Sequence, residues 1–424
     1  MIIFPIISLT FVAGICRYIT KSWSSPGTFF SICWSFFLIV PLVFAYDYKT
    51  DILALWYISI FSISLSAGSI LAYSMRSIER EPPKNYKIYF NIQLLFYFLL
   101  LFIFISFVGL FLLSQFAANL YYSTNYLNNW MMIPNMIAVD RYSGILNYPF
   151  IIKYSLYFIY PGILLGGFLF GYKDWTNKIK VRFFSILPLF QAIILGIIEG
   201  ARTSILLGLV LFFSAWLSTF MFNKNHPFQK KKSLFRFMIS SVFFILMFTV
   251  FFVFIQWLRQ GMDEIVIDLL FDRIRAYFFG YLSAFSQWLI DDNNSIIANP
   301  GLITFAGPFN LLGIMERPLG FYDSINIAKN ISTNIFTAFR GIVTDFSIPG
   351  SIIIAFIIGF TSQMIFQKNV KTTLLSFLPI SMFYAFTLYS PLISIFHYNS
   401  ILFSWVILFI IIIMAVDEPL DNYS

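Results

Sequence analysis

Of the 424 residues, 59% are hydrophobic and only 11% charged, with a mean hydropathy of +0.82, whereas an ordinary soluble domain carries roughly 25% charged residues. Such a chain cannot be an aqueous globular enzyme and needs lipid as solvent. Two cysteines, Cys16 and Cys33, exclude a disulfide framework and match no metal spacing.

Runs of roughly 17 to 25 apolar residues, bounded by charge or turn residues, are read as membrane spans. Eleven are expected, at about 2 to 16, 28 to 46, 53 to 73, 92 to 113, 151 to 171, 183 to 199, 203 to 222, 237 to 257, 346 to 366, 372 to 390 and 400 to 416. The first positive charge, Arg17, follows the initial run instead of preceding it. That order is the reverse of a secretory signal, so the run is expected to stay as an anchor.

The loops between spans differ in charge. One alternating set holds 17 of the 27 Lys and Arg residues, including Arg76, Lys178, Lys231 and Lys368; the other set holds ten. By the positive-inside rule the first set is cytoplasmic, which puts the N-terminus outside and the C-terminus inside. The net charge of +8 is then a matter of topology, and no nucleic-acid partner is expected.

The outer loops carry the polar signals. Residues 114 to 150 are rich in Tyr and Asn and end in Asp140-Arg141; aromatic faces with amides suit sugar rings, and equally form an interfacial belt. Glu199 and Arg202 lie in a tight break between two apolar runs, where an ionisable pair marks a pathway or a site, or satisfies itself across three residues. The longest outer stretch, about 258 to 345, contains nine of the 19 acidic residues and six basic ones. Its first part, 265 to 290, has Arg273, Tyr277, Gly280 and Tyr281 at helical spacing and reads as one or two helices lying on the membrane. Asp268, Asp272 and Arg275 are near enough to pair, yet Arg273 and Arg275 also offer a fork of donors suited to phosphate.

Residues 291 to 334 are expected to be loop, broken by Pro300-Gly301, Gly307-Pro308 and Pro318. Asp291-Asp292 lacks the spacing of a metal site. Asn334 and Arg340 then lead into Asp345, which is either a helix cap or a buried acid facing a cavity. His397 lies in a short outer turn. No Gly-rich phosphate loop or metal-ligand motif is visible, so neither a nucleotide cofactor nor a metal is expected.

Four patterns together carry a family resemblance: Ser25-Pro26 with Phe30 and Trp34, EGARTS at 199 to 204, RIRAYFFGYLSAFSQWL at 273 to 289, and TNIFTAFRGIVTDFSIPGS at 333 to 351. The chain resembles the O-antigen polymerases of the Wzy type, the oligosaccharide repeat-unit polymerases of bacterial envelope biosynthesis. The resemblance implies an all-α polytopic inner-membrane glycosyltransferase, similar in architecture to the membrane glycosyltransferases of the C type. It implies one integral membrane domain over residues 1 to 424, with a large periplasmic loop at 258 to 345 and a second at 114 to 150. Its partners would be undecaprenyl-diphosphate-linked oligosaccharides as donor and acceptor, membrane lipid, and a chain-length regulator protein. O-antigen ligase and flippase of the lipid-linked unit are the rival functions.

The chemistry explains the interest in arginine. Glycosyl transfer from a lipid diphosphate leaves negative charge that the site must stabilise, and a guanidinium stays charged and binds phosphate through two donors. Arg202, Arg273, Arg275 and Arg340 fall in the matching regions and are expected to converge on the diphosphate. Arg141, Tyr277, Tyr281 and Asn334 are the candidates for binding substrate. A hydroxyl acceptor also needs a base, for which Glu199, Asp272, Asp345 and His397 are the candidates.

Overall fold

The structure is a computed structural model that describes residues 3–77, 89–121, 132–172, 179–222, 250, 253–258, 267–291, 301–316, 322–329, 331–369 and 377–417. Eight of its helices are long and apolar enough to cross a membrane, and two shorter apolar helices, Phe377–Tyr389 and Asn399–Met414, accompany them. The protein is therefore an all-α, multi-pass membrane protein. The span expected at 237 to 257 lies mostly outside the described residues; within it, 253–258 are helical.

Helices α1 (Ile3–Thr20), α2 (Pro26–Phe44), α3 (Ile52–Ser77) and α4 (Ile92–Tyr121) follow the hydropathy closely at their starts; α1, α3 and α4 overrun it at their ends, while α2 stops two residues short. In α1 the overrun passes Arg17, because the Thr20 hydroxyl bonds back to the Cys16 carbonyl and Lys21, at φ 54°, ends the helix. The span expected at 151 to 171 is two helices, α5 excepted from it: α5 is Ile133–Tyr142, α6 Phe150–Tyr157 and α7 Ile159–Gly171, the last two joined at Phe158. Then come α8 (Ile179–Ile198), α9 (Arg202–Phe222) and α10 (Ile267–Asp291). The described residues of the 291 to 334 region are not all loop. They include a short helix, α11 (Ala306–Leu311), and an antiparallel hairpin, β1 (Ile325–Ala328) with β2 (Ile331–Thr333). Helices α12 (Ala338–Asn369), α13 (Phe377–Tyr389) and α14 (Asn399–Met414) complete the chain, with a 3-10 turn at Ile395–His397 before the last.

The chain divides into two compact units, one of Met1–Tyr89 and Arg275–Leu402, the other of Phe90–Ile274 and Phe403–Asp417. In the first, α3 and α12 cross so closely that a Cβ on Gly359 would stand 1.9 Å from the Leu65 carbonyl oxygen, and one on Gly68 2.1 Å from that of Phe356. Small residues let backbones meet in this way where lipid supplies no hydrophobic drive between helices. Hydroxyls then bridge the crossing: Ser64 donates to the Ile352 carbonyl at 2.8 Å, Ser69 to that of Gly359 at 3.1 Å, and Tyr57 to Ser351 at 2.9 Å. Toward one end of these helices Trp34, Phe61, Phe285 and Phe339 form an aromatic core. Phe285 belongs to α10, so the later turns of that helix are core, not a surface lying on lipid; Tyr281, Leu282, Ala284 and Phe285 are all buried.

Helix α12 is broken once, at Ser347, whose φ of 61° and ψ of 173° are non-helical, with Pro349 two residues on. A serine held there costs roughly 1 to 3 kcal/mol. The break separates the short start of α12, which carries Arg340 and Asp345, from the long part that packs on α3.

In the second unit, Gln191 of α8 reaches α4 within the apolar interior, donating to the Ile103 carbonyl at 2.8 Å and accepting from Ser106 at 2.8 Å. Such bonds fix helix register where an unsatisfied amide would be costly.

Candidate functional site

Three of the residues singled out by sequence meet in the first unit. Arg340 stands in the first turn of α12, where the extended segment 334–337 ends with the Ala338 N–H bonded to the Ser390 carbonyl at 2.7 Å. Its guanidinium carbon lies 4.0 Å from the centre of the Phe336 ring, 4.1 Å from that of Tyr322 and 5.4 Å from that of Trp288. Each such cation–π contact is worth about 0.5 to 2 kcal/mol, and together they set the direction in which the planar group donates. Tyr322 faces Phe336 edge-on with ring centres 5.3 Å apart, and its other neighbour is His397 at 6.5 Å. Burial pushes the Tyr322 phenol well above its ordinary range, which the Arg340 charge opposes and Asp345 reinforces. It therefore stays protonated at neutral pH.

Asp345 is one turn further along α12 and 1% exposed. Its two carboxylate oxygens accept the backbone N–H groups of Ile303 and Thr304 at 2.9 and 2.6 Å. Of the two expectations for it, a helix cap or a buried acid facing a cavity, the burial holds, and its oxygens are taken up by the 301–305 turn. Asp345 anchors the 301–305 turn, and with both oxygens engaged it is a poor choice of base. The same turn is held on its far side, where Ser394 donates to the Thr304 carbonyl at 2.9 Å. His397 closes that segment and is buried at 1% exposure, and the expected short turn is a packed 3-10 turn. Asn334 is exposed, two residues before Phe336.

The other expected residues go elsewhere. Arg275 forms an ion pair with Asp47, donates to the Phe44 carbonyl at 3.0 Å and covers the Tyr48 ring at 4.9 Å. It precedes Trp288 by thirteen residues on one continuous helix, which is about 20 Å at 1.5 Å per residue, too far for Arg275 to join Arg340. Its partner Asp47 stands 228 residues away in the sequence, whereas pairing with Asp268 or Asp272 was expected; the side chain of Asp268 lies outside the described residues. Tyr281 is buried and donates to the Phe37 carbonyl at 2.6 Å, so this end of the stripe belongs to the core face of α10. Tyr277 is half-buried with its ring edge-on to Phe278, and Arg273 is exposed.

A second polar cluster lies within the second unit. Glu199, expected to meet Arg202, pairs instead with Arg141 of α5 at 2.6 Å, with side chains 10% and 24% exposed respectively. The reason is local: Gly200, at φ 58°, turns the chain sharply, and its Cα passes so near α5 that a Cβ would meet the Pro134 carbonyl at 2.8 Å. Helix α5 thus brings Arg141 over the turn, while Arg202, half-buried, opens α9. Burial alone would lower the Arg141 pKa, but the Glu199 carboxylate and neighbouring tyrosines hold it above the ordinary value. Burial, then Glu199, push the Tyr148 phenol up in turn. Tyr121 donates to Asp140 at 2.6 Å beside this group.

Removing one partner of a buried pair leaves the other uncompensated, at a cost of roughly 1 to 3 kcal/mol. Arg141→Ala should accordingly melt at a lower temperature than the double variant Arg141→Ala/Glu199→Ala, measured on purified protein in detergent. Equal melting temperatures would mean that the pair carries no coupling.

Tyr322, Trp288 and Phe336 were not selected from the sequence. They stand 34 and 14 residues apart, as 288, 322 and 336, in three different segments, and aromatic residues are too common in this chain for any one to stand out. Among the described residues no group of three His, Cys, Asp or Glu side chains could hold a metal ion. No family model, curated protein or solved structure matches the chain.

Proposed function

We propose that the protein is a lipid-linked oligosaccharide polymerase of the Wzy type, acting at the periplasmic face of the bacterial inner membrane. The observation that carries this reading is Arg340, held among Phe336, Tyr322 and Trp288 at the end of a helix long enough to cross a membrane. A diphosphate whose lipid tail stays in the bilayer must present its charge at that level. A guanidinium fixed by aromatic faces donates in its own plane, as bidentate phosphate recognition requires.

In the proposed reaction a glycan leaves undecaprenyl diphosphate as a hydroxyl of the acceptor unit attacks its anomeric carbon. The anomeric C–O bond breaks, the diphosphate takes the electron pair, and the hydroxyl proton passes to a base. Arg340 stabilises the diphosphate and Tyr322 donates a hydrogen bond to the substrate. His397, the neighbour of Tyr322, is the proposed base because its ordinary pKa lies nearest neutrality, and Asp345 already accepts two backbone N–H groups. Arg141 and Glu199 form a separate charged group within the second unit.

The test is the purified protein with a defined lipid-linked repeat unit. A ladder of products differing by one unit is expected. Translocation without bond formation would mean a flippase, and transfer only when lipid A core is supplied would mean a ligase; either result overturns the proposal.

A further inference from the structure

The segment just past the 301–305 turn exposes three large apolar side chains in a row of four residues: Leu311 at 64%, Leu312 at 72% and Ile314 at 61%. They lie outside every membrane-spanning helix. Their backbone is nevertheless well fixed. Gly313, at φ 70°, makes the turn; the Ile314 N–H donates to the Phe309 carbonyl at 2.9 Å; and Asn310 closes the apex by donating to the Met315 carbonyl at 3.0 Å.

The apex is also fixed in height. Asn399, the first residue of α14, donates to Asn310 at 2.8 Å. Gly307 touches the chain just before it so closely that a Cβ would stand 2.5 Å from the Phe396 carbonyl oxygen. Phe305 packs on Phe396 with ring centres 5.4 Å apart, and Phe396 stacks on Phe386 near the end of α13. Two apolar helices, Phe377–Tyr389 and Asn399–Met414, thus end and begin where this apex is attached, and in a membrane-embedded chain the ends of apolar helices mark the boundary between hydrocarbon and water. A rigid loop that places leucine, leucine and isoleucine outward at that level has one surface at hand that rewards their exposure.

We propose that Leu311, Leu312 and Ile314 form an apolar apex inserted among the acyl chains of the adjoining leaflet. Through the turn at 301–305, which Asp345 and Ser394 clamp from both sides, it holds the Arg340 cluster at headgroup depth. The apex is a lipid-contact site and does not depend on what the cluster binds.

Single cysteines at Leu312 and, separately, at Ile314 would be labelled with an environment-sensitive fluorophore, in lipid nanodiscs of phosphatidylcholine and phosphatidylglycerol. Asn334→Cys serves as the water-exposed reference and the unaltered chain, whose Cys16 is buried and Cys33 half-buried, as the labelling blank. Nitroxide on the lipid acyl chain is expected to quench both apex labels several-fold more than the Asn334 label, with aqueous iodide giving the reverse order. Iodide quenching at the apex as strong as at Asn334 would overturn the proposal. So would a blue-shifted label that neither quencher reaches, since a protein, not lipid, would then cover the apex.

Discussion

Lysine in place of Arg340 should reduce polymer formation about a hundred to a thousand-fold, the range for losing one preorganised contact to transition-state charge. The charge survives in this variant. What is lost is the planar fork between Phe336 and Tyr322, because an ammonium is a compact point charge that cannot fix the direction of two parallel donors. Arg275→Lys is the control: it too gives up a guanidinium, with its bonds to Asp47 and the Phe44 carbonyl, but its distance along α10 keeps it from the Arg340 cluster. The ladder assay on equal amounts of folded protein reads both. If Arg340→Lys elongates at nearly the rate of the parent chain, or if Arg275→Lys is the more damaging change, the assignment of Arg340 to the diphosphate fails.

The largest effect on stability is expected from one methyl group. Gly359→Ala would put a Cβ at 1.9 Å from the Leu65 carbonyl oxygen, a contact with backbone that no rotamer change relieves. Overpacking of side chains typically costs about 1 to 3 kcal/mol. Here α3 and α12 must separate, losing the bonds of Ser64 and Ser69 as well, so about 3 kcal/mol or more is expected. Gly14→Ala, in α1, is the control, with nothing within 4 Å of its added carbon. Yield of monodisperse protein and melting temperature in detergent should fall sharply for the first variant and hold for the second. Matching melting temperatures would show that the two helices do not approach as described.

The membrane class and the helix positions were legible because they depend on sums over some twenty neighbouring residues, where errors cancel. Arg340 was legible too, since a charge at the mouth of an apolar run has few roles. The partners of the charges were not. Arg275 finds Asp47, and Glu199 finds Arg141, across 228 and 58 residues, while the local rule favoured Asp272 and Arg202. Helical spacing also could not say which face of α10 is buried: Tyr281 and Phe285 lie on one stripe, and the stripe that reads as ligand-facing is equally one that a core would use. The hairpin at 325–333 escaped because it is built from two strands of four and three residues, shorter than any alternation that sequence alone can detect.

The interruption of α12 at Ser347 bears on how the protein lives in bilayers of differing thickness. Spanning helices adjust to a thinner or thicker hydrocarbon layer by tilting, commonly through 0 to 40°. Were α12 continuous, Arg340, seven residues or about 10 Å before the break, would swing with the span. A ten-degree change would move it by about 2 Å, when misplacement by about 1 Å is enough to cost a hundredfold in rate. At Ser347 the backbone leaves the helical region, and a change of tilt is expected to be taken up by rotation about that residue. The short head of α12 keeps its place among Phe336, Tyr322 and the 301–305 turn while the long part follows the lipid.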